Sequence, residues 1–238
     1  MRADAAKPCS EPSSQAWWRD GPVTTPEPNK SHNGCGADAM RRRQERWLEM
    51  YEEAGVVVEA AYVMTAFGCN LEGDVPLAAV MDNVGWLANR FEGRKLPSIF
   101  LADTVGWAVP TEVERRVVAV RQRLPGARVG LHLHDTRGAA MACFLAALQN
   151  GVDLFDASVA GLGGCPFAGS AHGAAAGNIC TEDMVFMAHE MGIETGVDLD
   201  ALIEAARLAE RIIGRPLPGK IMHTGPLAKY RRASGMCA

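Results

Sequence analysis

The chain has 238 residues, with 24 Lys and Arg against 28 Asp and Glu, and 48% hydrophobic against 22% charged residues. That supports one domain or one and a half around a sizeable core and excludes disorder over the whole length. A net charge of −4 gives no electrostatic footprint for nucleic acid, and no apolar run reaches the ~18 residues of a membrane span.

Residues 1–40 carry Pro, Ser, Asn and Gly clusters, two adjacent tryptophans and no period of 2 or 3.6. They read as an irregular or disordered segment ahead of a folded domain at 41–230. The first residues lack the apolar core of a secretory signal. Seven cysteines without regular spacing point to a reducing compartment, the cytoplasm or the mitochondrial matrix, and not to a disulfide framework. Arg41-Arg42-Arg43 opens a charged helix ending near Ala54-Gly55, its charges forming a solvated face.

From there strands and helices alternate. VVVEAAYVMTAF (56–67) is apolar and β-branched enough for a buried strand, and Pro76 opens a helix with Leu77, Val80, Met81, Val84, Leu87 and Phe91 at helical spacing. SIFLAD (98–103) is a second strand; Thr111 with Glu114 reads as a capping box for the helix that follows. VGLHLH (129–134) is a third strand, with a helix over 139–150 that Gly151 ends. VDLFDAS (152–158) is a fourth, followed by a Gly-rich loop, a helix capped at Thr181 and stopped by Gly192, and a last helix over 199–213 ending at Gly214. This alternation predicts an α/β fold with a parallel sheet. Four strand–helix units are half of what a closed (β/α)8 barrel wants, and residues 1–55 offer no candidate for the other four. Open sheet edges invite pairing, and Val57, Ile99, Leu131 and Leu154 are expected to need cover. A homo-oligomer or a complementing half-barrel would supply it.

Three features carry chemistry. Side chains alternate along a strand, so His132 and His134 share one face at the C-terminal end of the third strand, where parallel α/β folds build active sites. Two such imidazoles meet one ion, or they are half-buried histidines bonded to carbonyls. In Ser158-Val-Ala-Gly-Leu-Gly-Gly-Cys-Pro-Phe167, Gly163 and Gly164 allow close backbone approach to a ligand. Cys165 at the crest of that loop is a candidate reactive thiol, unless the loop is a plain turn. Asn178 has a carbonyl oxygen suited to a hard cation, or caps a turn. Asp103 ends the second strand at the same mouth, as a site carboxylate or an Asx-turn.

HLHDTRG (132–138), DASVAGLGGCPF (156–167), GNICTEDMVFMAHEMGIETGVDL (177–199), LADTVGWAVP (101–110) and AYVMTAFGCNLEGDVP (61–76) together resemble the family of 3-hydroxy-3-methylglutaryl-CoA lyases. The likeness runs from about Tyr62 to Leu227 and implies a partial (β/α)8 TIM barrel of about four C-terminal strand–helix units plus C-terminal helices. The resemblance implies that His132, His134 and Asn178 bind a divalent metal, Mg²⁺ or Mn²⁺, with His132 also close to the reacting groups. It makes Cys165 the thiol that assists proton transfer, Asp103 a residue that orients substrate, and an acyl-CoA the partner. The implied reaction is retro-Claisen cleavage of a 3-hydroxyacyl-CoA to acetyl-CoA and a keto acid. That family opens with a strand ending in Arg-Asp-Gly, whose Asp completes the metal ligands. The one such string here, Arg19-Asp20-Gly21, follows no apolar strand and reads as chance. A catalytically inactive half-barrel is therefore the alternative.

Overall fold

A computed structural model describes residues 15–18, 37–70, 73–164 and 177–234. Its centre is a five-stranded parallel sheet of β1 (Gln15–Trp18), β2 (Val57–Val63), β5 (Ser98–Ala102), β6 (Val129–His132) and β7 (Leu154–Asp156), in that spatial order. A two-stranded antiparallel ribbon, β3 (Gly68–Cys69) and β4 (Gly73–Asp74), follows β2. The helices are α1 (Ala37–Glu53), α2 (Leu77–Arg90), α3 (Pro110–Arg123), α4 (Ala140–Gln149), α5 (Thr181–Glu190), α6 (Leu199–Ile213), α7 (Ile221–Thr224) and α8 (Ala228–Ser234). The parallel sheet with crossover helices is the one the alternation predicts, and its open form fits the partial barrel that the resemblance implies. No helix among the described residues is long and apolar enough to cross a membrane.

Strand alternation sorts the core into two faces. Ala61, Val63, Ile99, Leu101, Val129 and Leu131, each at most 1% exposed, pack with Val80, Val84 and Leu87 of α2, Val113, Val117 and Val120 of α3, and Cys143 and Phe144 of α4. Each fully buried Val or Leu contributes roughly 1.5–3 kcal/mol, so this helix-covered face dominates stability. The opposite face is a smaller cluster of Ala60, Tyr62, Phe100 and Ala102, with Leu154 against it. Gly130 shapes this second face. A Cβ there would lie 2.7 Å from the Phe100 ring, and its absence lets Phe100 lie across β6 and stack on Tyr62 at 4.6 Å between centroids.

Four expectations change. The sheet has a fifth strand: Gln15–Trp18, within the segment read as irregular, pairs in parallel with β2, with a register shift between Ala16 and Trp17. Four residues are too few to show a period. The Thr111–Glu114 capping box is not formed, because Pro110 already occupies the first helical position and Val109 is the cap residue without a side-chain bond. Thr181 likewise begins α5 behind Cys180, without capping it. Ile99 and Leu131 face the helices and are fully buried; Val57, 55% exposed, is the one of the four named positions left open, while Leu154 is half-buried. The final long helix runs over 199–213 as expected, capped where Asp198 accepts the Ala201 N–H at 3.1 Å and closed by Gly214 in the left-handed region.

Candidate active site at the C-terminal end of the sheet

The parallel register aligns the strand ends. Ala102 pairs with His132, and His132 with Asp156. His134 lies two residues beyond the end of β6, opposite Asn178 in an isolated antiparallel bridge. The His132 and His134 rings sit side by side, with centroids 5.0 Å apart and planes at 76°.

Each ring is held by a neighbouring strand end. His134, 6% exposed, has Nδ1 2.8 Å from the Asp103 carbonyl oxygen. Nδ1–H is therefore the donor, and Nε2 keeps its lone pair. Burial, then the nearby His132, pushes the His134 pKa down to about 4, so the ring is the neutral form that ligates metals. The Asp103 side chain is buried, and burial pushes its carboxyl up to about 6 against the opposing pull of the Trp107 and Ala108 N–H groups. Its Oδ1 accepts the Trp107 N–H at 2.6 Å. Asp103 thus ties down the loop after β5 with its carboxylate while orienting His134 with its backbone. Arg137 joins the two loops from the other side, donating to the carbonyls of Val105 and Gly106 at 3.0 and 2.9 Å. Asp135 is drawn away from the mouth: its Oδ1 accepts the Ala140 N–H at the start of α4.

Two residues emerge that the sequence did not single out. Tyr62 of β2 donates its phenol to Asp156 Oδ2 at 2.7 Å. The same oxygen is 3.4 Å from His132 Nδ1. Strand register brings the three together, and register between distant strands leaves no local mark in the sequence.

The glycine loop leaves β7 through a 3₁₀ turn at Val159–Gly161. Ala160 has φ 56°; it and Thr65, φ 52°, are the two non-glycine residues with positive φ among those described. Both stand just past strand ends at the mouth, where strained backbone commonly accompanies function. Buried Glu182 of α5 secures the turn by accepting the Ala160 N–H at 2.9 Å. Gly163 and Gly164 have φ of 83° and 132°. The two limbs of the loop meet at its base: a Cβ on Gly177 would lie 1.6 Å from the Gly161 carbonyl oxygen. Asn178 Nδ2 donates to the Leu162 carbonyl at 2.9 Å, and the Asp135 N–H to the Gly177 carbonyl at 3.1 Å. Cys165 lies outside the described residues.

The donor set fits a divalent cation. Asn178 Oδ1 is buried and has no hydrogen-bond partner among the described residues, an orphaned acceptor that a cation would satisfy. His134 stands opposite Asn178 with its Nε2 freed by the Asp103 bond, and the His132 ring lies against that of His134. The amide oxygen suits a hard cation such as Mg²⁺ or Mn²⁺, while the imidazole nitrogens favour a transition ion over Mg²⁺. Among the described residues no group of three or more His, Cys, Asp and Glu converges on one point. Arg19-Asp20-Gly21 does follow a strand after all, since β1 ends at Trp18. That strand, however, is the sheet edge beside β2, with β2 and β5 between it and β6.

Known proteins resemble this chain in sequence and fold. The family model described as HMGL-like matches residues 30–209. A hydroxymethylglutaryl-CoA lyase of Bacillus subtilis is 41% identical over 160 residues, 67% of this chain and 51% of its own length. An (R)-citramalyl-CoA lyase of Chloroflexus aurantiacus is 41% identical over 162 residues, 68% and 49%. The chain thus spans about half the length of these curated relatives. The solved structure of an HMG-CoA lyase from Acinetobacter baumannii, in complex with coenzyme A and 3-methylmalate, superposes with a TM-score of 0.75 at 34% identity, covering 86% of this chain and 64% of that one. With strand, loop and sequence in agreement over three quarters of its length, the chain belongs to the HMGL-like family.

Proposed function

We propose that this chain forms the site of a metal-dependent carbon–carbon lyase that cleaves a 3-hydroxyacyl-CoA, of the hydroxymethylglutaryl-CoA or citramalyl-CoA kind, into acetyl-CoA and a keto acid. One observation carries the reading: the orphaned Asn178 Oδ1 belongs to the residue bridged to His134, whose ring lies against that of His132 at the C-terminal end of a parallel sheet. His132, His134 and Asn178 are the residues that would hold the cation, which when bound supplies Lewis-acid polarisation of the substrate hydroxyl and carbonyl. A base at the mouth takes the hydroxyl proton, with His132 close to the reacting groups. The C–C bond then breaks, its electron pair leaving with the acetyl-CoA enolate as the hydroxyl carbon becomes a carbonyl. Cys165 delivers the proton that quenches the enolate carbon. Gly163 and Gly164 let the loop backbone approach the acyl group, and Asp103 keeps His134 aimed.

The second reading, a non-catalytic half-barrel that serves as an interaction partner, is favoured by the donor set itself, which among the described residues stops at two imidazoles and one amide. An assay of the full chain with Mn²⁺ or Mg²⁺ separates the two. Acetyl-CoA release from hydroxymethylglutaryl-CoA or citramalyl-CoA, lost in His132→Gln, supports the lyase. A folded chain that releases none supports the second reading.

A further inference from the structure

We propose that Asp156 is the positioning residue of this site: its Oδ2 gathers the Tyr62 phenol and His132 Nδ1, fixing His132 as the Nδ1–H tautomer and leaving Nε2 to the chemistry. The inference rests on His132 being a site residue, as argued above.

Three strands converge on one carboxylate oxygen. His132 and Asp156 are direct partners in the β6–β7 register. Tyr62, from β2, reaches the same oxygen across Phe100 and Gly130, the two residues that make the intervening floor flat. The Tyr62 ring stands edge-on to the His132 ring at 6.5 Å between centroids. His132 Nδ1 is buried and lacks a well-formed hydrogen bond among the described residues, while Asp156 Oδ2 lies 3.4 Å away. In the other tautomer Nδ1 would turn a lone pair toward a carboxylate oxygen, which repels it. The Nδ1–H tautomer turns the same approach into a charge-assisted donor–acceptor pair. The Tyr62 phenol, already donating to that oxygen, fixes where the carboxylate sits. A histidine with one nitrogen donated to a carboxylate presents the other in a set direction and with raised basicity, as metal-ligating and proton-transferring imidazoles require. His134 has the same arrangement with a backbone carbonyl as its acceptor, so both rings would offer Nε2 in common.

The test is the ring tautomer, read by long-range ¹H–¹⁵N correlation spectra of the ¹⁵N-labelled full chain without metal at pH 8, with the His132 signals identified by their loss in His132→Gln. The expected result is Nδ1–H for His132 in the wild type, retained in Tyr62→Phe, and a change toward the Nε2–H form in Asp156→Ala. A wild-type His132 in the Nε2–H form overturns the proposal whether or not the variants fold, as does an unchanged tautomer in folded Asp156→Ala. Because no metal or substrate enters the measurement, its failure is separate from failure of the lyase reading, which acetyl-CoA release tests.

Discussion

Gly177→Ala tests whether the pinched base of the glycine loop is what places Asn178. Gly177 is not among the glycines with positive φ, so alanine brings no backbone penalty there and the effect is steric. The new Cβ would lie 1.6 Å from the Gly161 carbonyl oxygen and 2.8 Å from its carbon. Reaching a tolerable 3.0 Å requires the limbs to part by 1.4 Å, the difference between 3.0 and 1.6. The obstacle is backbone, so no side chain can swing away. Parting the limbs stretches the Asn178–Leu162 and Asp135–Gly177 hydrogen bonds, now 2.9 and 3.1 Å. Overpacking costs about 1–3 kcal/mol and each lost hydrogen bond about 1 kcal/mol. A total near 3 kcal/mol lowers Tm by roughly 6–12 °C for a chain of this size. Calorimetry measures the stability, and a Mn²⁺ titration reads the displacement of Asn178 as weakened binding. Gly192→Ala is the control, with φ 78° and open space around it, costing only left-handed strain of about 1–2 kcal/mol. A Gly177→Ala chain that melts within about 1 °C of wild type and binds metal equally well would refute the pinch.

Other perturbations have defined outcomes. Asp103 has its carboxyl raised from 3.8 to about 6 by burial, so the folded state holds that proton to higher pH than the unfolded chain. Its contribution to stability is therefore greatest below pH 4 and falls by about 3 kcal/mol as pH rises through 6; urea unfolding of the metal-free chain should show this fall, and Asp103→Asn should flatten it. Glu182→Ala strips the Ala160 N–H of its buried acceptor and should cost about 1–3 kcal/mol; a melting point equal to wild type would show that the turn holds without it. Iodoacetamide should modify Cys165 before Cys143 and Cys180, both buried and with thiols that burial pushes to about 12; peptide mapping at short times that finds Cys143 first would count against a reactive loop thiol.

What was legible in the sequence was local. Gly214 closes the last long helix because C-capping chemistry acts within a turn of the chain. His132 and His134 could be placed on one side of a strand because alternation is a property of that strand alone. The Tyr62–Asp156–His132 contact was not legible, since it depends on how β2, β5, β6 and β7 align, and parallel register is set by packing between distant segments. Glu182 stands in the first turn of α5, where helix dipoles favour carboxylates, so nothing local sets it apart. Its reach to Ala160 appears only when α5 packs under the loop. The strand at Gln15–Trp18 was hidden for a third reason: four residues among Pro and Ser owe their extended form to pairing with β2, not to any period of their own.

The most direct test of the central claim is a Mn²⁺ titration of the full chain, followed by loss of the free-ion electron paramagnetic resonance signal. One site per chain is predicted. His134→Ala and Asn178→Ala should each weaken it at least about tenfold, and binding should fade as pH drops and the imidazoles take up protons. No saturable binding, or binding that both variants retain at wild-type strength, would contradict a metal site built from these residues.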